Sequence, residues 1–147
     1  MAVRVQREDF DVAAEIASLT TDRTDVGAIV TFTGRVRGGK DGVSAMTLEH
    51  YPGMTEAELL RIEAEARSRW PLEASLVVHR IGDLKAGDNI VLVVTVSAHR
   101  RAAFEAASFL MDFLKTRAPF WKKETSSSGN EVWVGSLVGD EAAARRW

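Results

Sequence analysis

Apolar and polar positions along this chain repeat with two periods, and the switches between them mark out its elements. Ala2 to Gln6 predicts a short first strand. Asp9 or Asp11 can cap a helix running to about Leu19, with Val12, Ile16 and Leu19 on one face. Thr20 to Asp25 is polar loop, and GAIVTFT, Gly27 to Thr33, is β-branched and apolar enough for a buried strand. Gly34 to Val43 reads as a loop, and Ala45 to Tyr51 alternates, with Met46, Leu48 and His50 on one side. Pro52-Gly53 turns the chain. Thr55-Glu56-Ala57-Glu58 predicts a capping box, with Met54 and Leu59 spaced as a hydrophobic staple. The helix it opens carries Leu59, Ile62 and Ala66 on its inner stripe and ends at Trp70 before Pro71.

Ala74 to Ile81 and Asn89 to Ser97 predict two strands joined by the loop GDLKAGD. NIVLVVTVS is apolar on both faces, which places it centrally in a sheet. A long helix follows from about His99 to Arg117, with Phe104, Ala107, Met111 and Leu114 at helical spacing. Phe120 to Glu124 and Glu131 to Val134 then pair as a hairpin across TSSSGN. The residues from about 136 to 147 form a polar tail, partly mobile by composition, within a single domain spanning 1–147. The order β-α-β-β-α-β-β-α-β-β predicts an α+β fold with a mixed, largely antiparallel sheet, two main helices and a short N-terminal helix.

Composition narrows the chemistry. The 147 residues suit one domain with a real core, and the formal net charge of -2 makes any anion site a matter of local clustering. The absence of cysteine excludes disulfides, thiolate zinc sites and a cysteine nucleophile. The three histidines fall at no metal-ligand spacing, so no metal is expected; no cofactor is expected either. No signal-like or membrane-spanning stretch is present, and a cytoplasmic location is the default.

Cations gather at three places. The loop GRVRGGKDGV holds four glycines and three cations, among them Arg35 and Arg37. It can wrap a phosphate, although it lacks the GK[ST] ending of a P-loop, and composition alone favours a solvated loop. Ser97-Ala98-His99-Arg100 opens the long helix, where cations oppose the dipole unless an anion lies between them. The alternative there is a plain exposed turn. KTRAPFWKKE places Lys115, Lys122 and Lys123 around Pro119, Phe120 and Trp121. Lys115 shares a helix face with Met111, and burial against Met, Phe and Trp would strip its hydration. Lys122 and Lys123 face opposite sides of a strand, so at most one joins Lys115. Snorkelling surface lysines are the plain alternative. His79 shares a face with Val77 and Ile81 and reads as a hydrogen-bonded core histidine.

GAIVTFTGRVR, MTLEHYPGMTE, HRIGDLKAGD, VTVSAHR and FLKTRAPFWKKE stand in that order from about Gly27 to Glu124. Together they resemble the large subunit of molybdopterin synthase, the MoaE family. The resemblance implies an α/β-hammerhead fold, a homodimer, and a heterotetramer with two small ubiquitin-like MoaD-type sulfur-carrier subunits, each ending in a Gly-Gly thiocarboxylate. It implies sulfur transfer to cyclic pyranopterin monophosphate to form the dithiolene of molybdopterin, with no nucleic acid and no membrane involved. By motif, Lys115 and Lys122 become the catalytic residues; Arg37, His99 and Arg100 meet the pterin phosphate; and Arg35 and Lys123 line the same region. Met111, Phe120 and Trp121 become an apolar wall. The rival class is a non-enzymatic anion- or nucleic-acid-binding module, which the sequence pI of about 5.9 and the lack of an aromatic-rich RNA motif disfavour. His99 and Arg100 lie a helix length from Lys115, so one small ligand meets both only at a homodimer interface.

Overall fold

The computed structural model describes residues 2–40, 42–126, 128–134 and 138–147, with side chains omitted at 138–140. Asp41 of the glycine-rich loop, Ser127 of the hairpin turn, and Ser136 and Leu137 of the tail lie outside the described residues. The elements are β1 (Ala2–Gln6), α1 (Val12–Thr20), β2 (Ala28–Arg35), β3 (Val43–His50), α2 (Met54–Arg69) and β4 (Leu72–Arg80). There follow β5 (Gly82–Lys85), β6 (Asn89–Ser97), α3 (Arg100–Thr116), β7 (Phe120–Ser126), β8 (Glu131–Val134) and α4 (Val138–Arg145).

Two four-stranded sheets form, with orders β1-β4-β6-β2 and β5-β3-β7-β8. Among the described residues only β1 with β4 is parallel; the other pairs run antiparallel. Strand β6 lies between β4 and β2, as its two apolar faces require. One face of that sheet packs Val77, Val91 and Val93 against Leu59, Ile62 and Ala66 of α2 and Phe109, Leu110 and Phe113 of α3. The other packs Leu76, Leu92, Val94 and Val96 around Phe10, with Val12 and Leu19 of α1 against them. Residues Val138–Arg145 are helical; Ala144 is buried, and the Trp147 indole donates to Asp112 at 2.6 Å. Among the described residues no helix is long and apolar enough to cross a membrane.

Five local expectations are corrected. Helix α2 opens two residues earlier than the capping-box pattern predicts. Its N-cap is Gly53 at φ 86, where the missing Cβ permits a left-handed turn, and the Glu56 carboxylate accepts the Gly53 N–H at 2.6 Å. Thr55 is buried instead: its hydroxyl accepts from the Tyr51 N–H at 3.0 Å and donates to the Pro119 carbonyl at 3.0 Å. Met54 is 62% exposed, so no staple forms. Phe104 stands 61% exposed, because the side of α3 that meets the sheet runs through Ala103, Ala107, Leu110 and Leu114. Gly82–Lys85 is a strand paired with β3, and β2 runs on to Arg35 through a bulge at Gly34/Arg35.

Candidate functional site

A cavity of about 520 Å³ opens where the two sheets meet the C-terminal end of α3. Strand β2 contributes Phe32 to Arg35 and Arg37 just beyond it; β3 adds Met46 and Leu48, and β6 supplies Ile90 and Val91. Met111, Leu114 and Lys115 come from α3, Phe120 and Lys122 from β7, Val134 from β8, and His79 from β4. The lower wall is apolar and the charged lining is entirely cationic: Arg35, Arg37, Lys115 and Lys122, with no carboxylate among the described lining residues. Cations set against a low-dielectric wall hold an anion more strongly than the same cations in water.

Local structure fixes each group. Proline at 119 ends the run after α3, and the Thr55 hydroxyl holds its carbonyl, so β7 leaves at a set angle. Alternation along β7 then sends Phe120 and Lys122 toward the cavity. Trp121 and Lys123 fall on the opposite face. Trp121 meets Tyr51 edge-on at a ring distance of 4.3 Å, and the Lys123 ammonium lies 3.6 Å from Glu131 and 5.8 Å from the Trp133 ring centre. The Lys122 ammonium sits 3.2 Å from the Glu124 carboxylate. Arg35 donates to the Gly87 carbonyl at 2.6 Å, which anchors its guanidinium at the rim. Lys115 is exposed at the mouth, not pressed beneath the aromatic residues as its flanking sequence led us to expect.

His99 and Arg100 do not join this group. His99 occupies the N-cap of α3 without a side-chain capping bond, both residues are exposed, and the first turn carries no acid. Helix α3 is continuous from Arg100 to Thr116, so Arg100 and Lys115 lie roughly 22 Å apart along its axis at about 1.5 Å per residue.

His79 is the residue that sequence reasoning assigned to the core. Its ring stacks on Phe120 at 3.8 Å with planes 19° apart, and Nδ1 lies 2.8 Å from the Arg80 carbonyl oxygen. Desolvation foremost, with opposing charge from Lys115 and His50, pulls its pKa from 6.5 down to about 4, although the Arg80 bond favours the protonated ring. The strand period already put it on the face of Val77; what the period could not show is that this face emerges into a cavity beyond the helices. Among the described residues no cluster of three His, Cys, Asp or Glu side chains could hold a metal ion.

An α+β chain whose two sheets and helix end enclose a cavity with only cations among its described charged lining residues carries a site suited to an anion. The sequence profile of the MoaE protein family matches residues 5–117, and the chain belongs to that family. The molybdopterin synthase catalytic subunit of Mesorhizobium japonicum is 61% identical over 146 residues, covering 99% of this chain and 92% of the relative. The solved structure of the molybdopterin biosynthesis MoaE protein from Burkholderia ambifaria is 51% identical, covers 100% of this chain and 98% of its own, and superposes with a TM-score of 0.85. Molybdopterin synthase from Staphylococcus aureus is 33% identical over 89% of this chain and 95% of that one, with a TM-score of 0.79.

Proposed function

We propose that this chain is the catalytic subunit of a molybdopterin synthase. It moves sulfur from the C-terminal thiocarboxylate of a small MoaD-type partner onto cyclic pyranopterin monophosphate. The observation that carries this reading is the cavity itself: four cations and no carboxylate among its described lining residues, in a chain without cysteine. Sulfur delivered on a second protein explains the missing thiol, and both reactants are anions. Lys115 and Lys122 are the pair best placed to hold the thiocarboxylate and to stabilise the phosphate oxygen released when a carbon–oxygen bond of the cyclic phosphate breaks as the carbon–sulfur bond forms; a second partner's sulfur replaces the oxygen on the neighbouring carbon, which leaves as water. Water must then cleave the acyl–sulfur bond, leaving sulfur on the pterin and a carboxylate on the partner. Arg35 and Arg37 hold phosphate at the rim. The partner's tail enters as an extended peptide beside β8, an edge strand whose Val134 lines the cavity. The chemistry belongs in the cytoplasm.

His99 and Arg100 enter the same reading through a second copy. They sit at one end of α3 and Lys115 at the other, and a two-fold axis crossing between them overlays opposite ends. Edge strand β2 and helix α3 span that interval, with Phe32 42% and Phe104 61% exposed, apolar surface that a second copy would cover. Each of two sites then takes its lysines from one chain and its His-Arg pair from the other, and two small subunits complete a heterotetramer.

The experiment mixes the chain with a thiocarboxylated MoaD-type partner and the cyclic pterin, and follows the dithiolene product by mass spectrometry. No product from a competent partner overturns the reading. For the shared site, His99→Ala and Lys115→Ala dimers should each be nearly dead, while mixed dimers regain one intact site. Mixed dimers as inactive as their parents would exclude sharing.

A further inference from the structure

The cavity lining is chemically lopsided. Arg35, Arg37, Lys115 and Lys122 can only donate hydrogen bonds, and they match the anionic ends of the two reactants. A reduced pterin also carries ring N–H and amino groups, which need acceptors. Among the described lining side chains only the Thr33 hydroxyl and the His79 ring offer a nitrogen or oxygen lone pair.

The ring of His79 is fixed on three counts. A carbonyl oxygen can only accept, so the 2.8 Å contact with Arg80 puts the proton on Nδ1. Stacking on Phe120 at 3.8 Å holds the ring plane. Desolvation foremost, with the charge of Lys115 on α3, keeps the ring neutral at pH 7; His50 on β3, 3.2 Å from the Glu56 carboxylate, opposes protonation only when it is itself protonated, and the remaining charged lining residues, Arg35, Arg37 and Lys122, are cations that act in the same direction. Nε2 is therefore a bare lone pair, and among the described residues it has no hydrogen-bond partner. A core histidine would pair both nitrogens; this one pairs the inner nitrogen and lines the cavity.

Resting on the function proposed above, we infer that His79 is a substrate-contacting residue, held as the Nδ1–H tautomer so that Nε2 accepts a hydrogen bond from an N–H group of the pterin. It acts as a binding and orienting group for the non-phosphate end of the substrate. The lysines handle the thiocarboxylate, and the arginines hold the phosphate.

Two substitutions separate this role from a structural one. In His79→Asn the short amide can keep the bond to the Arg80 carbonyl but withdraws the acceptor from the cavity. In His79→Gln the longer amide can present an acceptor near the place of Nε2. With thiocarboxylated partner saturating, kcat/KM for the cyclic pterin should fall about tenfold in His79→Asn, the loss of one net hydrogen bond. The change should lie mainly in KM, and His79→Gln should recover most of it. Equal losses in both variants, or no loss in His79→Asn, would overturn the assignment. Nitrogen-15 NMR of the unsubstituted chain supplies a readout that does not depend on how the variants fold. The free protein should show a neutral ring protonated at Nδ1, and the Nε2 resonance should move when the pterin binds. An Nε2–H tautomer, an imidazolium at pH 7, or an unmoved Nε2 signal in the pterin complex would each refute it. Failure of the functional reading looks different: the unsubstituted chain with a competent partner would itself yield no dithiolene.

Discussion

Lowering the pH should cost this protein stability through His79, and the cost can be sized. In the unfolded chain the imidazole titrates near 6.5; in the fold it titrates at about 4, chiefly because burial penalises the charged ring. The folded state therefore binds fewer protons than the unfolded state between these values. The group's contribution is complete above pH 6.5 and drains away as the pH falls, ending near pH 4 where the folded ring itself protonates. Each tenfold difference in proton affinity between the two states is worth about 1.4 kcal/mol, so the full loss is at most about 3.5 kcal/mol. The assay is urea unfolding from pH 7.5 to pH 4 at fixed protomer concentration, on the unsubstituted chain and on His79→Gln, which cannot titrate there. Groups remote from His79 contribute equally in both proteins, so the difference between the two curves reports His79 together with its coupling to His50. The gap should shift in favour of the glutamine variant by roughly 1–3 kcal/mol as the pH drops across this window. Parallel curves would show that the ring is not held neutral by burial, and the assignment of Nε2 as a lone pair would fall with it.

Lys115→Ala and Lys122→Ala should each lower single-turnover sulfur transfer by roughly 10²–10⁴. Lys123→Ala, on the other face of β7, should cost far less; equal effects at 122 and 123 would contradict the strand geometry. Thr55→Val removes the hydroxyl that joins the Tyr51 N–H to the Pro119 carbonyl. Thermal unfolding should show a loss of about 1–3 kcal/mol, since both part-buried partners lose their hydrogen bond; an unchanged Tm would mean that water replaces the bridge.

Much of the architecture was legible where burial and period agree. Strand β6 reads as central because both its faces are apolar, and the inner stripe of α2 is buried as its spacing requires. The misreadings arise where two local patterns fit equally and packing decides. T-E-A-E and the turn before it both supply a capping glutamate, and Gly53 with its positive φ wins because Thr55 is drawn inward by Pro119. Phe104 and Ala103 both fit a helical stripe, and only the position of the sheet says which is buried. Strand β5 has a single strong apolar signal, Leu84, and exists through pairing with β3, a partner more than thirty residues away in the chain. In the site, the alternation that separates Lys122 from Lys123 separates Phe120 from Trp121 as well, so one aromatic ring lines the cavity and the other does not.

The cations and the neutral histidine depend on one another. Four fixed positive charges around one cavity repel any further positive charge, and a protonated His79 would add a fifth beside Lys115. An anion entering the cavity relieves that repulsion and raises the basicity of the ring. Yet the Coulombic contribution from Lys115 is smaller than the desolvation, and a bound ligand excludes water further, so the larger effect persists or grows when the site fills. The ring thus remains an acceptor in the free and the loaded cavity. Phe120 joins the two functions: it holds the imidazole plane by stacking, and it stands two residues from Lys122 on the same face of β7. Of KTRAPFWKKE, Lys115, Phe120 and Lys122 therefore share a single geometry around the cavity, while Trp121 and Lys123 turn away from it.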